Sequence, residues 1–451
     1  MAGPALIDLR ACLDGGFPAL IATCAKDGTP NVSALSDVRY IDEHHIALSF
    51  QFFNKTRANI LANPHARLQV TDPEDGARYL LTIRYLRTET SGPLFAAMRA
   101  KLAGIASHTG MTKVFKLRGA DVYAVDDIEQ TSGAAARLRG PSRLLAGLRA
   151  GFDLLAASDD LTTWIDATLH ALTRALGFAH CMLLIADEAR TRLYTVASHG
   201  YVSTGVGSEI AYGEGVIGVA AEQCTAIRLT HMAQEYQYGD AVRAAFMARN
   251  PRLDLECRIP LPGLDASRSQ LAVPVRVSGK LLGVLYVESA VDGDIDHDDE
   301  DACVLLADAC ARAYLAVTEV EARDTDEASA AAARPTVSGT AMLVSHDVDD
   351  HSVFVDDEYL IKGVAGAILW RMLHDYVEHG RVEFNNKDLR RDRGLGLPEV
   401  VDNLEARLVL LQRRLRERLP ELALEKTGRG RYQLRVARPL RLSGDGPTTR
   451  G

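Results

Sequence analysis

The chain has 451 residues, too many for one hydrophobic core, and at roughly 100 to 200 residues per domain it predicts about three domains. Hydrophobic residues make up 47% and charged residues 25%, the balance of folded protein, which excludes a largely disordered chain. The net charge of −9 argues against nucleic-acid binding by the whole surface, yet the stretch from Arg381 to Arg441 carries sixteen Lys/Arg against nine Asp/Glu, a local net of +7.

No run approaches the roughly 18 to 20 apolar residues of a membrane helix. The opening MAGPALIDLRACLDGG lacks a basic region followed by a long apolar core, so neither export nor membrane insertion is expected, and the reading is a soluble cytoplasmic protein. The seven cysteines, at positions 12, 24, 181, 224, 257, 303 and 310, form no CxxC pair. An odd, scattered set suits buried thiols in a reducing compartment, with no zinc site and no disulfide expected.

From Pro18 to Thr90 the pattern is strand-like: ALIATC, a turn at Lys26-Asp27-Gly28, NVSALSDVRYI, a turn at Asp42-Glu43, then HIALSF. The run FNKTRANILANP, residues 53–64, then predicts a loop entering a short helix that stops before proline. It puts Lys55 and Arg57 at a helix N-terminus, where unpaired N–H groups, the helix dipole and two cations suit a phosphate. A solvated basic turn is the alternative reading of this motif.

These strands, together with FNKTRANI, RLQVTD, RYLLTIRYLRTET and KLRGADVYAVDDIE, resemble the pyridoxamine 5′-phosphate oxidase-like split β-barrels. The resemblance implies such a barrel over residues 1–132 and FMN as its cofactor. It places Ser36, Asp37, Val38 and Arg39 near the flavin ring, and Asn54, Lys55 and Thr56 at the phosphate, beside Arg57. The oxidase proper has basic residues where this chain has Ala34 and Thr56, so oxidation of pyridoxamine phosphate is not the expected reaction. Haem, a deazaflavin, or an empty dimerising barrel remain alternatives, and a bound flavin would bring its own redox chemistry.

The segment 133–154 contains AAARLRGPSRLLAGL and predicts a short, partly helical linker. From Asp159 to Gly177, Leu161, Trp164, Ile165, Leu169, Leu172 and Leu176 recur at spacings of three and four, an amphipathic helix. The strands CMLLIA and RLYTVAS, the glycine-rich GEGVIGVAA, the hairpin SQLAVPVRVSGKLLGVLYVES and the helix DHDDEDACVLLADACARAY follow. Asp296 is expected to cap that helix ahead of Asp299 and Glu300. The set resembles a GAF domain over residues 155–320, a fold that binds small molecules or only dimerises. Leu229 to Asp265 is where a pocket lid would lie, with His231, Tyr236, Tyr238 and Cys257 as pocket candidates. The GAF features of cyclic-nucleotide binding and bilin attachment are absent, apart from Asp299-Glu300, so the ligand stays open.

A small, polar segment over 321–345 predicts a second, flexible linker. A hairpin over 352–361, a helix from Val364 to Glu378, a helix capped by Asn386, a helix from about Pro398 to Arg418 and a basic-tipped hairpin from Leu422 follow. A disordered tail is expected over 441–451. The order resembles a response-regulator winged helix over 346–440, which implies DNA contacts from Arg407, Arg413 and Arg414 on the third helix and from Arg429 and Arg431 on the wing. The leucine stripe Val401, Leu404, Leu408, Leu411, Leu415 is equally compatible with a dimerising seam.

The expected fold is therefore multidomain α+β: split barrel, GAF domain, winged helix. The expected function is a homodimeric sensory regulator with DNA or a protein as output. The alternatives are a flavin-dependent oxidoreductase with regulatory attachments and a scaffold that binds nothing small.

Overall fold

A computed structural model describes residues 4–14, 16–35, 37–50, 54–73, 75–109, 117–132, 144–187, 191–231, 261–323, 339–392, 395, 404–428 and 430–443. Ser36, Tyr236, Tyr238, Cys257 and Arg429 lie outside the described residues, and Asn54 is described in its backbone only.

In the first module burial alternates along β1 (Ala19–Cys24), β5 (His65–Thr71) and the first half of β6 (Arg78–Glu89), so each strand turns one side inward. With β2 (Pro30–Leu35), β3 (Val38–Asp42), β4 (His45–Phe50) and β7 (Gly119–Ser132) they form an antiparallel sheet ordered β2-β1-β5-β6-β7-β4-β3. The run NVSALSDVRYI, expected as one strand, is two, and they occupy opposite edges. Because only two residues separate Leu35 from Val38, the two edges must come together there, which curls the sheet into a barrel. Ile21, Leu68, Leu81, Ile83 and Tyr123 fill it, and a 3-10 helix, Leu6–Leu13, adds Leu6, Leu9 and Leu13 to the same core. Helix α1 (Asn54–Ala62) ends before Pro64, and α2 (Pro93–Thr109) leaves the barrel.

The second module is a sheet ordered β10-β9-β8-β13-β12-β11, from β8 (His180–Asp187), β9 (Arg192–His199), β10 (Glu209–Ala211), β11 (Ile227–Leu229), β12 (Ser269–Val277) and β13 (Lys280–Ser289). Helices α3 (Leu144–Ala156), α4 (Leu161–His170) and α6 (His297–Arg323) cover one face. Asp160 caps α4 and Asp296 caps α6, each accepting from backbone N–H groups of the first turn. Helix α5 (Gly215–Gln223) covers the other face, joined there by Ala100 of α2 from the barrel. One boundary here differs from expectation. Leu148 and Leu155 of α3 lie in the GAF core, so the module begins at Leu144 rather than after a linker. The basic composition of 134–148 hid this, because glycines share the packing face of α3 with its leucines. A Cβ at Gly147 would lie 2.1 Å from the Ala175 carbonyl.

The third module holds a sheet ordered β16-β15-β14-β20, from β14 (Met342–His346), β15 (Val353–Val355), β16 (Glu358–Ile361) and β20 (Leu440–Ser443). A second sheet is ordered β17-β19-β18, from β17 (Glu383–Asn385), β18 (Leu422–Gly428) and β19 (Arg431–Val436). The helices are α7 (Gly363–His379), α8 (Asn386–Arg391) and α9 (Leu404–Arg418). Leu404, Leu408, Leu411 and Leu415 of α9 are fully buried. Here too the sequence boundaries move. Met342 to Ser345, expected as linker, and Leu440 to Ser443, expected largely as disordered tail, pair in parallel. Neither short strand shows a periodicity of its own, so only the pairing reveals them. Asn385, not Asn386, caps α8, its side chain accepting from the Asp388 N–H at 2.8 Å.

The GEGVIGVAA motif explains how α5 sits. Its Gly218 approaches β10 so closely that a Cβ would lie 2.2 Å from the Ala211 carbonyl. Gly218→Ala is therefore expected to destabilise the protein by about 1–3 kcal/mol through overpacking, read as a lower urea midpoint at unchanged slope. An unchanged midpoint would mean that α5 is free to shift outward.

Candidate functional site

At the start of α1 a small polar group gathers. Asn31 Nδ2 donates to Thr56 Oγ1 at 2.9 Å, and the hydroxyls of Ser33 and Thr56 lie 2.9 Å apart. Lys55 is exposed beside them. Arg57 turns the other way: it donates to Asp121 at 2.6 Å and to Thr88 at 2.8 Å, stacked over Phe50 and near Tyr85. Thr88 donates in turn to the same Asp121 oxygen at 2.5 Å. The expected pair of cations at the helix start is thus divided, because a buried carboxylate on β7 neutralises Arg57. A phosphate at this N-terminus would meet Lys55, the Asn31 amide, two hydroxyls and the first N–H groups of α1, a donor set that fits a phosphomonoester.

The residues expected at the flavin ring begin β3. Asp37 is buried and pairs with Lys101 of α2 at 2.8 Å, and Val38 is buried. Arg39 is half-buried and lines a cleft of about 110 Å³ between barrel and GAF domain, along with Tyr40, Lys101, Ala226, His297 and Asp301. The strand named by the sequence therefore borders the junction of two modules.

That junction is held by Arg228 of β11, which sequence reasoning missed. Its Nη1 and Nη2 donate to Asp14 at 2.9 and 2.8 Å, and its Nε donates to Glu300 of α6 at 2.8 Å. Thr230 is a further partner of Nη1. Nη2 also donates to Nδ1 of His297 at 2.8 Å, which leaves the His297 proton on Nε2, 2.9 Å from Asp14. Burial pushes the Asp14 carboxyl upward, but His297 and Arg228 outweigh it and hold it well below the usual carboxylate range. Asp14 and Arg228 are 214 residues apart, so no local spacing announces the pair. Glu300, the partial counterpart of a cyclic-nucleotide motif, is consumed here, and Asp299 accepts from the Asp296 N–H at 2.8 Å.

His231, the described member of the expected GAF pocket set, belongs to the same junction. It packs between Gly16 of the barrel and Gly293, each so near that a Cβ there would lie 2.9 Å and 3.2 Å from its ring. Burial pushes its pKa below the ordinary 6.5. A different buried polar group lies within the GAF domain. Glu288 accepts from the Leu264 N–H at 3.1 Å and from the Tyr286 hydroxyl at 3.3 Å. Its place in the run VLYVES was the available signal, a carboxylate in an otherwise apolar core strand.

The arginines expected to reach DNA are turned inward. Arg407 is buried and donates to Asp187 of β8 at 2.8 Å. Arg413 donates to Asp166 of α4 at 2.7 Å and to the Val196 carbonyl at 3.4 Å, and buried Arg414 donates to the Leu360 carbonyl at 2.9 Å. In this arrangement the three side chains are held by carboxylates of the GAF domain and by carbonyls of β9 and β16. Arg431 begins β19 and is half-buried.

Two outcomes test the junction. Arg228→Met strips the nearly buried Asp14 carboxylate and the half-buried Glu300 of their cation and is expected to cost about 3–5 kcal/mol, measured by urea unfolding. A loss under 1 kcal/mol would mean that water already screens the cluster. Because the folded pKa of His231 lies below its unfolded value, its contribution is complete above pH 6.5 and is lost as pH falls below it. The melting temperature of His231→Gln is therefore expected to fall less than that of the parent between pH 7.5 and pH 5.5. Parallel curves would show that His231 protonates freely in the folded state.

Comparison with known proteins matches two of the three modules. Residues 8–126 match the family model described as pyridoxamine 5′-phosphate oxidase, and residues 158–314 match that of the GAF domain. An uncharacterized protein of Methanocaldococcus jannaschii is 39% identical over 57 residues, which are 12% of this chain and 38% of that protein. The chain thus spans well under half the length of this curated relative. Among solved structures, an FMN-binding protein from Syntrophomonas wolfei is 17% identical, covering 30% of this chain and 88% of its own with a TM-score of 0.24. The GAF domain of an Acinetobacter phosphoenolpyruvate-protein phosphotransferase is 20% identical, covering 42% of this chain and 100% of its own with a TM-score of 0.30. Among the described residues no helix is long and apolar enough to cross a membrane. The chain carries a pyridoxamine 5′-phosphate oxidase-like barrel followed by a GAF domain.

Proposed function

We propose that the chain is a homodimeric sensory regulator. FMN in the barrel, and a small molecule in the GAF domain, set its state, and the C-terminal module acts as a winged helix on DNA. The observation that carries this reading is that the GAF domain is joined on both sides through buried charge: to the barrel by Arg228 with Asp14, and to the C-terminal module by Arg407 with Asp187. A ligand that favours one geometry at either joint would bias the whole chain.

In the barrel, Lys55 with Asn31, Ser33 and Thr56 would hold the flavin phosphate, and Arg39 and Val38 would border the ring. A bound flavin supplies electron-transfer chemistry, and the side chains supply position and charge. Arg57 has a positioning role, since Asp121 and Thr88 tie it to β7 and β6.

The purified full chain is expected to take up FMN, with the visible absorption of a bound flavin. Lys55→Ala removes a charge-assisted contact worth about 1.5–3 kcal/mol and is expected to weaken FMN binding roughly ten- to hundredfold. Protein that stays colourless after FMN addition would sink the flavin reading. Steady NAD(P)H oxidation by the loaded protein would favour the flavin-dependent oxidoreductase over the regulator.

A further inference from the structure

Helix α9 is covered on every side over its first two turns. Residues 404–411 are all buried, although the helix carries Arg407, Arg413, Arg414, Arg416 and Arg418. One side of it belongs to its own module, where Leu404, Leu408, Leu411 and Leu415 pack and Arg414 bonds to the Leu360 carbonyl. The other side is taken by the GAF domain, whose apolar core is continuous with that of the C-terminal module, and the polar partners there are matched in charge. Asp187 takes Arg407 at 2.8 Å, Asp166 takes Arg413 at 2.7 Å, and Thr204 donates to Glu417 at 2.8 Å. Beside the helix, Asp160 takes Lys426 of β18 at 2.9 Å. Arg407 also lies over the Tyr194 ring, 5.4 Å from its centroid.

Three GAF carboxylates thus sit against three cations of the C-terminal module. A carboxylate and a phosphate ask the same thing of an arginine, a forked pair of N–H donors and a positive charge. The GAF face presents to Arg407 and Arg413 the negative charge that a nucleic-acid backbone would also present. The two cannot occupy Arg407 and Arg413 together.

The ion pairs make the joint specific. A buried ion pair adds little net stability over apolar packing, but it penalises any arrangement that leaves one partner alone. A small crevice of about 30 Å³, lined from both modules by Asp187, Tyr194, Lys362, Val364, Arg407 and Leu410, lies next to the pair.

We infer that the GAF domain masks the basic helix of the C-terminal module with Asp187 and Asp166, so that the structure is a closed state and nucleic-acid binding requires the helix to leave the GAF face. The inference rests on the DNA reading proposed above. Its geometric part, that these carboxylates hold α9 in place, is separable from that reading.

The test uses the full chain carrying Asp187→Ala with Asp166→Ala, against a control with the exposed Asp153 and Asp308 changed to Ala, which alters the net charge equally. Hydrogen exchange of the α9 amides reports release, and fluorescence anisotropy with a generic DNA duplex at low and high salt reports binding. The expected result is faster α9 exchange and at least tenfold tighter duplex binding in the latch variant alone, weakening with salt. Should the double variant fail to fold, Asp166→Ala removes only a surface group and is expected to move both readouts in the same direction by less. Unchanged α9 exchange in a folded variant would overturn the latch itself. Released α9 with no gain in duplex binding would overturn the masking of DNA and the DNA reading with it, leaving a latch between modules.

Discussion

The central strands of the GAF sheet have no solvent face. Along β8, β12 and β13 nearly every residue is buried, on both sides of the pleat. A sheet built this way must be covered twice. Helices α3, α4 and α6 supply one cover, and α5 supplies only part of the other. The remainder comes from α2 of the barrel, whose Ala100 enters the same apolar cluster as Met182, Leu184 and Ile227. The barrel is therefore part of the GAF fold's second layer, and the two modules share a core.

Charge then decides how the covered sheet is oriented against its neighbours. At the barrel side one guanidinium meets Asp14, Glu300 and His297, and the His231 ring fills the space left by two glycines. At the C-terminal side Asp187 ends β8 and takes Arg407 from α9. Both pairs lie at the rim of an apolar core, where water is excluded and an unpaired charge is expensive. Apolar burial makes the modules associate, and the ion pairs restrict them to one geometry. The strand expected at the flavin ring opens onto the first joint. The helix expected at DNA is covered by the second.

Several parts of this arrangement were legible in the residues. Short apolar runs between turns, ALIATC and HIALSF, marked barrel strands, and the two unbroken apolar runs of the GAF hairpin marked core strands. The leucine stripe of α9 marked a packing face. Local chemistry sufficed for these, since period, turn residues and caps act within a few positions. Where it misled, the missing information was a partner. NVSALSDVRYI read as one strand because nothing in it states that its halves close opposite edges of a barrel. The glycines of α3 read as linker because their value lies in what approaches them. Lys55 and Arg57 read as twin phosphate ligands until Asp121, 64 residues further on, claimed one of them.

What the sequence by itself determined is the identity and order of the elements, the barrel and GAF modules they build, and the sign of the charge on the C-terminal helix. Those follow from hydrophobic period and composition, which each segment carries alone. What only the tertiary structure decided is where those charges go. Arg228 finds Asp14 across 214 residues and Arg407 finds Asp187 across 220, because burial penalises every charge that the fold leaves unpaired, and the nearest partner in space has no fixed place in the chain.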